Sequence, residues 1–189
     1  MSRLFQTLLI ASTLVLSWLG MQAVHELGHV LGAWAGGETV GKVLLHPLTT
    51  SRTDASHDRH PLLVVWGGPI FGSVLPLLVL GITRLIRSGF FYLFQFFAGF
   101  CLVANGAYLA LGSFDRVGDC GEMLRHGSSP WQLWLFGAVT VPAGLALWNR
   151  QGPHFGLGPA RRPVRPGVAW ASLAALVLLL ALALAVDGE

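Results

Sequence analysis

Charge is scarce in this chain. Only 11% of its 189 residues are Asp, Glu, Lys or Arg, while 53% are hydrophobic. So few charges cannot cover a water-facing surface, and with a mean hydropathy of +0.63 they exclude the soluble globular class. Cysteine is nearly absent. Cys101 and Cys120 are the only two, which rules out a disulfide framework and a cysteine-rich zinc site. The basic excess is also small, a net charge of +3, and most of the eleven arginines sit at the ends of apolar stretches, where charges anchor membrane spans. No nucleic-acid signature is present, and no nucleic-acid partner is expected.

What is abundant is uninterrupted apolar sequence. Five stretches of about 20 residues or more carry no charged side chain: Leu4 to Val24, Pro61 to Thr83, Ser88 to Phe114, Gly127 to Asn149 and Gly167 to Val186. Each can cross a hydrocarbon core as a helix. The expected fold is an all-α membrane protein with about five transmembrane helices, multi-pass and located in the cell membrane. Residues 1–23 can also be read as a signal peptide, although Met21 fits poorly where cleavage requires a small residue. The connection from Ala33 to His60 opens with Gly36-Gly37 and alternates through Val40, Val43 and Leu45, which predicts a short strand or hairpin at the membrane surface. Residues 1–126 are expected to form a membrane-embedded core of three spans. Residues 127–189 add two more, joined by the Gly/Pro/Arg-rich segment from Arg150 to Pro166.

At the end of the first apolar stretch stands His25-Glu26-Leu27-Gly28-His29, an H-E-x-x-H motif. On a helix, residues four apart share a face, so two imidazoles can grip one zinc ion. Glu26 lies about 100° round the helix from His25, beside the metal rather than on it. From there a carboxylate can take a proton from a zinc-activated water and hand it to a leaving amine, as peptide hydrolysis requires. The competing reading is that the two histidines cap a helix end near the interface, yet Glu26 is the only charge near this apolar run, and ionisable groups inside membranes are functional by default.

Two histidines do not complete a catalytic zinc site, which takes three protein ligands and leaves one position for water. The first span delivers the motif to one membrane face, and the third span delivers its C-terminal end to the same face. That parity brings Asp115 and Asp119 into consideration, along with the loop histidines His57 and His60, the terminal Asp187 and Glu189, and Cys120 as a minor thiol alternative. The second span carries Gly67-Gly68-Pro69, then Gly72 and Ser73, small residues that let helices approach closely and a proline that frees a backbone carbonyl.

Together these motifs resemble the site-2 protease type of intramembrane zinc metalloprotease, the M50 peptidases, and in particular their small M50B-like members. His25-Glu26-Leu27-Gly28-His29 matches that family's first motif, Gly67-Gly68-Pro69-Ile70-Phe71-Gly72 is similar to its Gly-rich second, and Asp119-Cys120-Gly121 resembles its Asp-Gly-type third. The resemblance covers roughly Leu4 to Leu124 and implies Zn2+ held by His25, His29 and Asp119, with Asp115 as the alternative third ligand. It implies Glu26 as the catalytic group and a transmembrane protein as substrate. Gly67, Gly68, Pro69, Gly72 and Asn105 are then expected to contact that substrate, the last with the alternative role of an interhelical hydrogen bond. The family commonly has Asn and Pro shortly before the ligand Asp, whereas Asn105 here stands well before Asp119 with no proline between them.

Two other classes stay open on sequence. A non-proteolytic membrane scaffold could keep the metal for structure, and a metal transporter would place ionisable residues along several spans, which the charge-free stretches oppose. Orientation is divided as well. Seven basic residues against five favour a cytoplasmic N-terminus, whereas the family resemblance implies the reverse.

Overall fold

The computed structural model describes residues 2–45, 51–56, 59–159 and 161–186. The chain forms α1 (Ser2–Gly36), β1 (Val40–Leu44), β2 (Arg52–Ala55), α2 (Pro61–Leu85), α3 (Phe91–Asp115), α4 (Gly118–Arg125), α5 (Pro130–Trp148), a 3-10 turn (Gly152–Phe155) and α6 (Pro166–Val186). Five of these helices, α1, α2, α3, α5 and α6, are long and apolar enough to cross a membrane. The protein is a multi-pass, mainly helical membrane protein with a small antiparallel hairpin after the first helix, as its apolar stretches and the alternation through Val40 and Val43 predict.

At 1.5 Å per residue the 35 residues of α1 extend about 52 Å, well beyond a hydrocarbon core of about 30 Å. The His25–His29 turn therefore lies on the same continuous helix as the first apolar stretch. Prolines open both α2 and α5 at their first turns, where the missing N–H costs no hydrogen bond. Ser129 and Gln132 form a reciprocal capping box at the start of α5. Despite Pro69 and Pro76, α2 remains helical throughout.

Glycine seams set the packing. A Cβ built on Gly28 would lie 2.3 Å from the carbonyl oxygen of Gly67, and one on Gly67 would lie 2.4 Å from that of Gly28, so α1 and α2 touch backbone to backbone. The antiparallel pair α3 and α5 uses the same device twice, with Gly99 against Gly144 and Gly106 against Gly137. Ser12 of α1 reaches Ser172 of α6 through a 2.8 Å hydroxyl contact, which ties the last span to the first.

The hairpin pairs Val43 with Thr53 and Leu44 with Arg52, with an irregularity between Val40 and Lys42. Its return to α2 is anchored by Glu38, which is buried and accepts hydrogen bonds from the Ser56 hydroxyl (2.6 Å) and the backbone N–H groups of Arg59 (2.6 Å) and His60 (2.9 Å). The short helix α4 was not anticipated within the polar segment that follows α3. Its amphipathic side, Cys120 and Met123, is fully buried against Val65, Leu109 and Leu133 from α2, α3 and α5. That burial docks α4 beneath the motif face of α1.

Candidate metal centre

His25 and His29 occupy one face of α1, and α2 closes over them. The Gly28–Gly67 contact brings the helices so near that a Cβ at Gly68 would stand 2.4 Å from His29 Nε2 and 2.8 Å from His25 Nε2. Only glycine leaves the imidazoles their place. Each ring is held from behind: His29 Nδ1 lies 2.8 Å from the carbonyl oxygen of Val64, and His25 Nδ1 lies 2.7 Å from Asn105 Oδ1. The Asn105 amide is oriented in turn, because its Nδ2 donates to the carbonyl of Cys101 at 2.9 Å. Both partners of the rings are therefore acceptors, which places the protons on Nδ1 and turns the Nε2 lone pairs inward.

The third donor comes from α4. Gly118, with a left-handed φ of 56°, turns the chain after α3, and the backbone N–H of Asp119 donates to the Tyr108 hydroxyl at 3.1 Å. Asp119 Oδ2 then lies 2.9 Å from His25 Nε2 and 3.4 Å from His29 Nε2, with the two Nε2 atoms 3.0 Å apart. Burial alone would raise the Asp119 carboxyl, but while the rings are also protonated at Nε2 their hydrogen bonds and charge hold it well below the usual carboxylate range, and a bound metal ion would take the place of those Nε2 protons. Two inward lone pairs and an ionised oxygen meeting at one point form a donor set that could hold a divalent metal ion. Tetrahedral ligands about 2.0–2.1 Å from zinc are separated by roughly 3.3–3.4 Å, close to the spacings seen here.

Glu26 is buried beside this cluster, and its carboxylate accepts a hydrogen bond from Thr53 of β2 at 2.8 Å. Together with His25, His29, Asn105, Tyr108 and Asp119, it lines a cavity of about 1040 Å³ that β2 borders through Arg52, Thr53 and Asp54.

The structure brings only some of the candidate residues together. Asp115 ends α3 as an exposed residue outside the cluster, so Asp119 and not Asp115 meets the histidines. Cys120 points away, its thiol directed at the Tyr108 carbonyl. His60 is exposed before α2 and outside the cluster, while His57, Asp187 and Glu189 lie outside the described residues. Gly67, Gly68, Pro69 and Gly72 do not line the cavity. Gly67 and Gly68 pack against α1 and its imidazoles and Gly72 against Asn105, while Pro69 is buried. Asn105 is 1% exposed and lines the cavity, with both polar atoms engaged in hydrogen bonds, one of them across to α1. Three participants were not foreseen: Thr53, Tyr108 and the carbonyl of Val64. A main-chain carbonyl leaves no trace in sequence, and Thr53 gains its meaning only from the hairpin register.

No protein-family model, curated protein or solved structure matches the chain.

Proposed function

We propose that this protein is a zinc-dependent intramembrane endopeptidase of the site-2 protease type, cutting a peptide bond within or near a transmembrane segment of another protein in the cell membrane. The observation that carries this reading is the meeting of His25 Nε2, His29 Nε2 and Asp119 Oδ2 next to the buried Glu26, at the wall of a cavity. Among the described residues three protein donors meet beside a cavity, as in a catalytic site, whereas a structural zinc site is closed by a fourth. That contrast favours the enzyme over the scaffold.

Zinc, when bound by His25, His29 and Asp119, supplies a Lewis acid that polarises the scissile carbonyl and acidifies water. Glu26 accepts a proton from the attacking water as its oxygen bonds to the carbonyl carbon. The same carboxyl then gives that proton to the amide nitrogen as the C–N bond breaks, which regenerates the carboxylate. Thr53 holds the Glu26 carboxylate in place by its hydroxyl. Asn105 and the Val64 carbonyl fix the ring tautomers that leave Nε2 available. A substrate helix hides its carbonyls in its own hydrogen bonds and must unwind before hydrolysis. Strand β2 borders the cavity and offers backbone groups to which the unwound segment can add as a further strand.

The test is zinc per chain by elemental mass spectrometry on detergent-purified native protein, His25→Ala, Asp115→Ala and Asp119→Ala, alongside cleavage of a single-span reporter co-reconstituted in vesicles. Near-stoichiometric zinc, lost with His25→Ala and Asp119→Ala but kept with Asp115→Ala, is expected. Glu26→Gln is expected to retain zinc and lose cleavage by about 10²-fold or more. Full cleavage by Glu26→Gln, or little zinc in the native chain, overturns the reading.

A further inference from the structure

The end of the bundle remote from His25 carries a second cavity, of about 620 Å³, within the usual range for small-ligand sites. It lies between the α2–α3 turn and the segment leading into α6. Four arginines line it, Arg84 and Arg87 from the first element and Arg162 and Arg165 from the second, together with His154 of the 3-10 turn. The cavity has a built floor: the His154 ring stacks on Tyr92 with centroids 4.9 Å apart, and Gln6 of α1 donates to the carbonyls of Phe155 and Gly156.

No acidic residue is among those that line the cavity. All nine Asp and Glu residues of the chain fall within residues 26–58, 115–122 and 187–189, so no carboxylate occurs in the segments that line this cavity. Among the described residues none of the four arginines enters an ion pair, and Arg84 has only the neutral Gln95 amide as partner, at 3.1 Å. Burial and the Arg162 charge hold His154 below its ordinary value, in keeping with an electropositive chamber.

We propose that this cavity binds the phosphodiester headgroup of an anionic membrane lipid. Arginine forks suit phosphate oxygens, and basic pockets at the ends of transmembrane helices are where such headgroups lie. A lipid fits better than a free phosphate ion, because the arginines share the cavity with Phe90, Phe91, Val164 and Val168. Beside them Leu85 and Ile86 are 83% and 67% exposed, an apolar surface that acyl chains would cover. This site is separate from the metal centre and does not depend on its chemistry.

The experiment measures binding of dioctanoyl-phosphatidylglycerol, dioctanoyl-phosphatidylcholine and inorganic phosphate to the full chain in uncharged detergent by microscale thermophoresis. The phosphatidylglycerol is expected to bind at least tenfold more tightly than either of the others, and its affinity is expected to fall as sodium chloride is raised. Arg162→Gln/Arg165→Gln and Arg84→Gln/Arg87→Gln should each weaken it by about tenfold or more. Arg59→Gln/Arg116→Gln, which removes the same charge from the other face, should leave it unchanged. The salt dependence is read on the native chain and does not rely on any variant folding. Equal binding of phosphatidylcholine, indifference to salt, or equal loss in the Arg59/Arg116 variant overturns the proposal. Phosphate binding as tightly as the lipid overturns it in favour of a free-ion site.

Discussion

Asn105 of α3 accepts a 2.7 Å hydrogen bond from His25 Nδ1 of α1, and the Asn105 amide is itself locked by donation to the Cys101 carbonyl. The pair joins two transmembrane helices and sets which imidazole nitrogen faces Asp119. On the proposed reading, removing this outer partner loosens the ring and lowers its basicity as a ligand. Asn105→Ala is expected to weaken zinc binding by roughly 10–100-fold. Competition against a chromogenic chelator measures it, and unchanged affinity would show that His25 needs no support from α3.

The Thr53–Glu26 contact gives the hairpin a role in the chemistry. Thr53→Val removes a hydrogen bond to a charged acceptor, worth about 1.5–3 kcal/mol, and should slow reporter cleavage by roughly tenfold or more. Thr53→Ser keeps the donor and should restore most of the rate. Zinc content should not move in either variant, which separates a misplaced Glu26 from a damaged metal centre.

Three glycine substitutions should part along the helix seams. Gly68→Ala places a Cβ 2.4 Å from His29 Nε2, so it should abolish stoichiometric zinc while far-UV circular dichroism shows the helices intact. Gly28→Ala meets the Gly67 carbonyl at 2.3 Å, where the obstacle is backbone, and should destabilise the fold by about 1–3 kcal/mol or more. Gly81→Ala meets nothing within 4 Å and should be neutral or stabilising by up to about 1 kcal/mol. Denaturant midpoints in detergent rank the three. A stable Gly28→Ala would contradict the close approach of α1 and α2.

Burial, reinforced by the nearby Asp119 charge, pushes the Cys120 thiol up to about 11. Iodoacetamide at pH 8 should leave Cys120 unmodified in the folded protein and label it after unfolding. Because the unfolded thiol ionises near its ordinary value of 9.0, the unfolded chain is increasingly favoured above that pH. The contribution is fully present below about pH 9 and is lost as pH rises towards 11. Midpoints measured across this window should fall further for the native chain than for Cys120→Ala.

The spans and the H-E-x-x-H turn were determined by the sequence alone, because both depend on local chemistry. A bilayer demands about 20 apolar residues per helix, and four-residue spacing places His25 and His29 on one face whatever surrounds them. The hairpin was legible for the same reason, from the alternation through Val40 and Val43. Parity of the spans narrowed the third donor to a few candidates without separating Asp119 from Asp115. That choice belongs to tertiary structure: Cys120 and Met123 bury one side of α4, the Gly118 turn reverses the chain, and Asp119 swings to the histidines while Asp115 stays at the helix end. The same holds for Gly67, Gly68 and Gly72, whose sequence announces close packing but not what they pack against. The coupling of Thr53 to Glu26 and the meeting of Arg84 and Arg87 with Arg162 and Arg165 join residues far apart in the chain. Such contacts follow from how the helices and the hairpin close on one another, and no local pattern encodes them.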